Sequence, residues 1–353
     1  MKGFYDRRDT SQVEVGGVLI GGGAPISVQS MTTFDTRNII STVEQINQLK
    51  AAGCDIVRLA VLDMEAATAI ETIRMITNIP IVADIHFDYR LALECLKHGV
   101  DKIRINPGNI GDLDRVKQVV QAAKERSVPI RIGVNAGSLE KELLEKHEGP
   151  TAEAMVESAL GHVRILEDLN FTDMVISLKA SNVPMTIAAY RLLAGKCRYP
   201  LHVGVTEAGT LTSGTIKSSI GIGTLLSEGI GDTIRVSLTS DPVNEVSTGI
   251  RILQSLELRA SGVDFVSCPT CGRCQIDLIR IAEQVESALI SCDKKIKVAV
   301  MGCAVNGPGE AKEADIGIAG GDGVAILFRK GEFVRKIVQE NIVAELLKEI
   351  ENL

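Results

Sequence analysis

From residue 26 to about residue 255 the chain repeats a two-part unit, and that repetition restricts the fold more than any other feature. Short apolar runs come first: Ile26–Met31, Ile56–Val61, Ile81–Asp84, Lys102–Ile105, Ile130–Val134, Met174–Leu178, Leu201–Val205 and Thr233–Val236. Between them lie amphipathic stretches with helical spacing, such as Val43–Ala52, Leu113–Arg126 and Met155–Leu169. Near-continuous apolar strands separated by helices imply a parallel sheet covered on both faces. Eight such units fit a (β/α)8 barrel. A doubly wound open sheet is the rival, but no Gly-x-Gly-x-x-Gly follows the first strand to support it.

The last quarter has another pattern. Val263–Ser267 reads as a strand running into Cys-Pro-Thr-Cys-Gly-Arg-Cys, followed by a helix at Leu278–Ile290 and a strand at Lys297–Met301. Ala325–Phe328 and Phe333–Val338 read as a hairpin, and a last helix covers Ile342–Glu351. A boundary near Leu258–Gly262 gives a barrel domain at 1–259 and a small α+β domain at 260–353. The opening MKGFYDRRDT has no apolar core behind its charges, so it is not a secretory signal. Val15–Phe34 lacks charge but is too rich in glycine and polar residues for a membrane span. A cytoplasmic protein is expected, without membrane or nucleic-acid partners; a net charge of −7 argues against a dedicated nucleic-acid surface.

In a barrel enzyme the chemistry sits at the carboxyl ends of the strands. Those ends read Arg58; Asp84 with His86; Arg104 with Asn106; Arg131 with Asn135; Lys179 with Ser181; Glu207; Arg235 with Ser237. Five basic side chains at five strand ends converge on one mouth of an acidic protein. Guanidinium forks match phosphate oxygens, and the glycine-bearing turns 106–109 and 135–138 offer backbone amides. A phosphorylated, diphosphate-sized substrate is expected. Asp84 and Glu207 are the acidic exceptions and so the acid/base candidates. Ile220-Gly-Ile-Gly223 is a weak phosphate motif, equally explained by helix packing.

Five of the eight cysteines crowd the tail: Cys268, Cys271, Cys274, Cys292 and Cys303. Cys54, Cys95 and Cys197, in barrel helices or at their ends, are expected to pack. In a reducing compartment such a cluster binds metal or does redox work rather than forming disulfides. Two thiols on one tight turn, with Cys303 following at a distance, suit an iron–sulfur cluster or zinc. The fourth ligand stays open among Cys274, Cys292 and Glu310, whose carboxylate the Asn306-Gly-Pro-Gly309 turn could bring back. A hard oxygen ligand beside three thiolates would be labile, which would make the site catalytic.

The segments SCPTCGRC, VMGCAVNGPGEA, ADIHFDYRLAL, RINPGNIG and VTEAG together resemble the bacterial 4-hydroxy-3-methylbut-2-enyl diphosphate synthases of the methylerythritol phosphate isoprenoid pathway, from about residue 10 to 350. The resemblance implies a TIM barrel followed by a domain related to the cluster domains of sulfite and nitrite reductases. It implies reductive ring opening and dehydration of 2-C-methyl-D-erythritol 2,4-cyclodiphosphate to (E)-4-hydroxy-3-methylbut-2-enyl diphosphate. It further implies a 4Fe–4S cluster on Cys268, Cys271, Cys303 and a displaceable Glu310, fed by ferredoxin or flavodoxin. The diphosphate would be held by Arg58, Arg104, Arg131, Asn135, Lys179, Arg235 and Ser237, with Glu207 as the acid facing the substrate. Cys274 competes with Glu310 for the fourth place; Glu310 is favoured because four thiolates would leave no easily opened iron. In a barrel the last helix ends opposite the mouth, so the tail domain starts on the wrong side to reach it. A head-to-tail homodimer, each tail capping the partner's barrel, solves this, and the resemblance implies the same arrangement. The competing reading is a non-redox phosphate-binding transferase with a structural zinc module.

Overall fold

The computed structural model describes residues 6–259, 262–289, 292, 294–303 and 313–353. The chain divides into two compact units, Met1–Arg259 and Ala260–Leu353.

In the first unit an antiparallel hairpin, β1 (Gln12–Val15) and β2 (Val18–Gly21), precedes the barrel. Gly16 and Gly17 turn it with φ of 54° and 90°, values that favour glycine. The barrel strands are β3 (Ser27–Met31), β4 (Ile56–Ala60), β5 (Ile81–Asp84), β6 (Lys102–Ile105), β7 (Ile130–Asn135), β8 (Met174–Lys179), β9 (His202–Val203) and β10 (Thr233–Ile234). They pair in parallel in the order β8-β7-β6-β5-β4-β3-β10-β9. A bridge from Ile176 to Leu201, beside β9, brings the two ends of that sheet together. Helices follow the strands: α1 (Ile39–Ala51), α2 (Met64–Ile76), α3 (Tyr89–Lys97), α4 (Leu113–Glu125), α5 (Lys141–Lys146), α6 (Ala152–Asp168), α7 (Val183–Ala194), α8 (Leu211–Ser227) and α9 (Pro242–Ser255). Most of them start on a side-chain cap, as where Asp63, Asp112, Thr151 and Asn182 each accept a first-turn amide.

Alternation along each strand sorts the core. Ile103, Ile105, Ile130, Ile132, Ile176 and Leu178 join the helix layer. Val82 and Val175, on the opposite face of their strands, instead pack with Ile56 against Val13, Val15 and Ile20 of the hairpin. The hairpin therefore plugs the amino-terminal end of the barrel and leaves the carboxyl-terminal end as the mouth.

The second unit is a five-stranded sheet in the order β11 (Asp264–Ser267), β12 (Lys297–Met301), β13 (Ile316–Gly320), β14 (Val324–Arg329) and β15 (Glu332–Val338). The first three strands are parallel and the last two antiparallel. Helices α10 (Leu278–Leu289) and α11 (Ile342–Glu351) cover one face. Ile281, Val285, Leu346 and Ile350 meet Val298, Val300, Ile316 and Ile318 there. The other face is a smaller cluster of Ala299, Met301, Ala314, Ala319 and Phe328.

Candidate active site

The strand alternation that sends isoleucines outward sends charge inward. Arg58, Lys102, Arg104, Arg131, Lys179 and Arg235 all turn into the barrel, and Arg131 is only 1% exposed. In register, Arg104 pairs with Arg131 and Asp84 with Arg104, so cations from neighbouring strands stand side by side. Two glycines make room for them. A Cβ at Gly133 would lie 2.5 Å from Arg104 Nε, and one at Gly204 would lie 3.2 Å from Lys179 Nζ and 2.4 Å from the Arg235 carbonyl.

Two carboxylates hold the guanidiniums. Asp84 lies 3.3 Å from Arg104 Nη1, 3.8 Å from Arg58 Nε and 3.2 Å from His86 Nε2. Burial alone would raise the Asp84 carboxyl, but the Arg58 charge, the His86 hydrogen bond, and the Arg104 and Arg131 charges hold it well below the usual carboxylate range. Asp84 is thus held in its ionised form between the two guanidiniums. Arg58 also donates to Met31 Sδ, at 3.0 Å from Nε and 2.8 Å from Nη2. Glu245, from α9, accepts from Ser30 Oγ at 3.0 Å and the Leu238 amide at 2.9 Å, and stands 3.5 Å from Arg235 Nη2. Burial pushes Arg235 down to about 10 and also lowers Arg104. Burial, then neighbouring guanidiniums, push Arg131 and Lys179 well below their ordinary values.

The remaining expected residues are at the same end. Asn135 closes β7, and Ser237 is half-buried just past β10. Glu207 is exposed in the loop after β9, with φ of 51°, a left-handed conformation uncommon outside glycine. Asn106 is committed locally, accepting the Gly108 amide at 3.1 Å. The 220–223 glycine segment lies within α8, where a Cβ at Gly221 would meet Val205 at 2.7 Å; packing accounts for that glycine. Sequence reasoning missed Lys102, His202 and Glu245. The first two are inward residues near the starts of strands, and the third reaches the site from a helix.

In the second unit, Cys268 directly follows β11 and Cys303 lies two residues beyond β12; Ser267 pairs with Val300 across those strands. Both thiols therefore sit at the same end of adjacent strands. The Gly302 amide donates to Cys268 Sγ at 3.2 Å. Cys271 is exposed, on the turn closed by the Cys274 amide donating to its carbonyl at 2.9 Å. Cys274 Sγ donates to the Ile276 carbonyl at 3.2 Å and packs against Gly302, where a Cβ would come within 2.7 Å of it. Among the described residues no group of three His, Cys, Asp or Glu closes to metal-binding geometry. Glu310 lies outside the described residues. In the barrel Cys54 and Cys95 are buried, their thiols pushed up to about 12 by desolvation, as packing residues should be. No helix among the described residues is long and apolar enough to cross a membrane.

Comparison with known proteins adds the family context. The GcpE TIM-barrel domain profile matches residues 10–250, and the GcpE protein C-terminal domain profile matches residues 264–352. A Ruminiclostridium cellulolyticum protein named 4-hydroxy-3-methylbut-2-en-1-yl diphosphate synthase (flavodoxin) is 64% identical, covering 100% of both chains. A Geobacter sulfurreducens protein of the same name is 62% identical over 98% of each. Among solved structures, a type I 3-dehydroquinate dehydratase from Clostridium difficile superposes with a TM-score of 0.50 at 15% identity, covering 69% of this chain and 99% of that one. That likeness concerns the fold alone.

Proposed function

The chain belongs to the GcpE family, and from that premise we propose how its two units share one reaction. The chain is an oxidoreductase: it opens 2-C-methyl-D-erythritol 2,4-cyclodiphosphate reductively and dehydrates it to (E)-4-hydroxy-3-methylbut-2-enyl diphosphate. The observation that carries the reading is the buried cationic mouth, with two carboxylates serving its arginines. Arg58, Arg104, Arg131, Lys179 and Arg235 clamp the diphosphate, and Asn135 and Ser237 complete its polar shell. Asp84 and Glu245 fix the guanidinium planes, so the forks are oriented before the anion arrives. Glu207, exposed at the mouth, donates the proton that lets a hydroxyl leave as water.

The cysteines fit an iron–sulfur group better than closed zinc: Cys268 receives a backbone amide, Cys271 is exposed, and Cys303 shares their end of the sheet. Cys268, Cys271, Cys303 and Glu310 would hold a 4Fe–4S cluster, which when bound would pass on, one at a time, the two electrons that the ring opening requires. Cys274, packed on Gly302 and bonded to Ile276, stays outside that ligand set. The donor is flavodoxin, as the names of the relatives state for those proteins. The assembly is a head-to-tail homodimer in the cytoplasm. Exposed Phe34, Ile40, Leu62, Met64, Phe87 and Leu113, on loops and helix starts after β3–β6, give one side of the mouth an apolar surface for the partner subunit to cover.

Anaerobic purification tests the reading. Brown protein absorbing near roughly 400 nm, with iron and acid-labile sulfide, is expected. Colourless protein with stoichiometric zinc would restore the transferase alternative.

A further inference from the structure

Beneath the arginines the barrel holds a basic group with no hydrogen-bond or ion-pair partner among the described residues. Lys102 is 0% exposed, and its Nζ makes no hydrogen bond among the described residues. Register sets it beside Val82, which packs on the hairpin plug. Two residues, about 6–7 Å of strand, separate it from Arg104 on the way to the mouth. The charges of Arg131 from β7 and Arg58 from β4 act on it, it and Lys179 from β8 both act on His202 from β9, and Arg104 lies further along its own strand. His202 is itself fully buried, and neither of its ring nitrogens is hydrogen-bonded among the described residues. A buried amine without a protein partner costs stability relative to a methionine of similar length, so packing gives no reason for it.

The charge count supplies one. Six basic side chains, Arg58, Lys102, Arg104, Arg131, Lys179 and Arg235, face two carboxylates, Asp84 and Glu245, among the described residues. Fully protonated, this interior would carry four uncompensated positive charges, a cost that a low-dielectric interior relieves by neutralising the group that gives up its proton most readily. Arginine does not release its proton under these conditions; lysine does, and of the two lysines here Lys102 is the one whose Nζ is fully buried without a hydrogen bond among the described residues. Burial, then the charges of Arg131 and Arg58, push the Lys102 ammonium well below its ordinary value.

We propose that Lys102 is the proton-binding counter-charge of the mouth: an uncharged amine in the ligand-free enzyme that takes up one proton when the cyclic diphosphate binds above it. The step forms one N–H bond, draws its proton from solvent and transfers no electrons. Lys102 acts through the field it creates and does not touch the substrate. Its protonation adds a positive charge only when the negative charge is present, so the empty barrel is spared a buried cation and the loaded one gains it.

The proposal rests on the mouth being the diphosphate site, and calorimetry separates the two. The iron-loaded, full-length enzyme is titrated with 2-C-methyl-D-erythritol 2,4-cyclodiphosphate without reductant, in buffers of low and high ionisation enthalpy. Each phosphorus of this ligand carries one ester and one anhydride bond, which leaves a single strongly acidic oxygen that does not titrate near neutral pH. Wild type should take up about one proton per ligand bound, and Lys102→Met and Lys102→Gln should bind with uptake near zero. Ligand binding by wild type without proton uptake, or undiminished uptake in a folded variant, would overturn the proposal. No binding at all would instead count against the diphosphate site. Should neither variant fold, wild-type affinity decides: it should fall towards tenfold per pH unit through the range where the amine is neutral, and a pH-independent affinity overturns the proposal.

Discussion

Replacing Asp84 by Asn removes the charge that two buried guanidiniums share while keeping the side-chain volume. Asp84 is 4% exposed and faces Arg104 at 3.3 Å and Arg58 at 3.8 Å, with side-chain exposures of 9% and 12%. Removing one partner of a buried pair costs about 3–5 kcal/mol, because the other charge stays dry and unpaired. For a unit of this size that is a fall in Tm of roughly 6–20 °C. The assay is thermal unfolding followed by circular dichroism, since the chain has no tryptophan to report by fluorescence. Folding lowers the Asp84 pKa, so its contribution is complete above its unfolded pKa of about 3.9 and drains away as pH falls towards the folded value. The wild-type advantage should therefore be level from about pH 5 to 8 and narrow below about pH 4. Added cyclic diphosphate should stabilise Asp84→Asn more than wild type, because the anion re-pairs the orphaned arginines. A loss below about 1 kcal/mol, or an advantage that widens in acid, would refute this account of the pair.

Other consequences follow from the same geometry. Gly302→Ala puts a methyl 2.7 Å from Cys274 Sγ and 3.0 Å from Leu278, so the Gly302 amide should shift off Cys268 Sγ and iron content after anaerobic purification should drop while far-UV circular dichroism holds; unchanged iron would contradict a ligand role for Cys268 that depends on this contact. Ile20→Ala empties the hairpin plug, where Ile20 is 0% exposed, and should cost about 2–5 kcal/mol in a denaturant melt. Mixing a Glu207→Gln protein with a Cys303→Ser protein should recover part of the activity through heterodimers, and no recovery after confirmed subunit exchange would argue for sites within one chain.

The barrel was legible because both faces of its strands are buried, so each strand prints as an apolar run. The charged lining was half legible. Arg58, Arg104, Arg131, Lys179 and Arg235 fall near strand ends, where chemistry is sought, whereas Lys102 opens β6 and its inward direction emerges only from register. Glu245 reaches Arg235 by tertiary packing of α9, for which no local pattern exists. The hairpin at 12–21 does carry a signal, Gly16-Gly17 between alternating valines and isoleucine, but it lies outside the βα rhythm. Strand β13 is hidden because Gly317 and Gly320 interrupt its apolar run; Gly317 is required where a Cβ would strike the Ala299 carbonyl at 2.3 Å and the Phe328 ring at 2.6 Å. The cysteine motifs pointed to a metal from spacing alone, but spacing could not choose the fourth ligand.

The central claim is that iron held by the tail cysteines reduces a diphosphate held by the barrel. Conversion of 2-C-methyl-D-erythritol 2,4-cyclodiphosphate under excess dithionite, which supplies both electrons through one-electron cluster reductions, measured across a series of graded iron and sulfide reconstitution, tests it most directly. Product per chain should rise in proportion to cluster content and vanish in Cys271→Ser, while that variant still binds the substrate. Product formation independent of iron content, or retained in Cys271→Ser, would contradict the account.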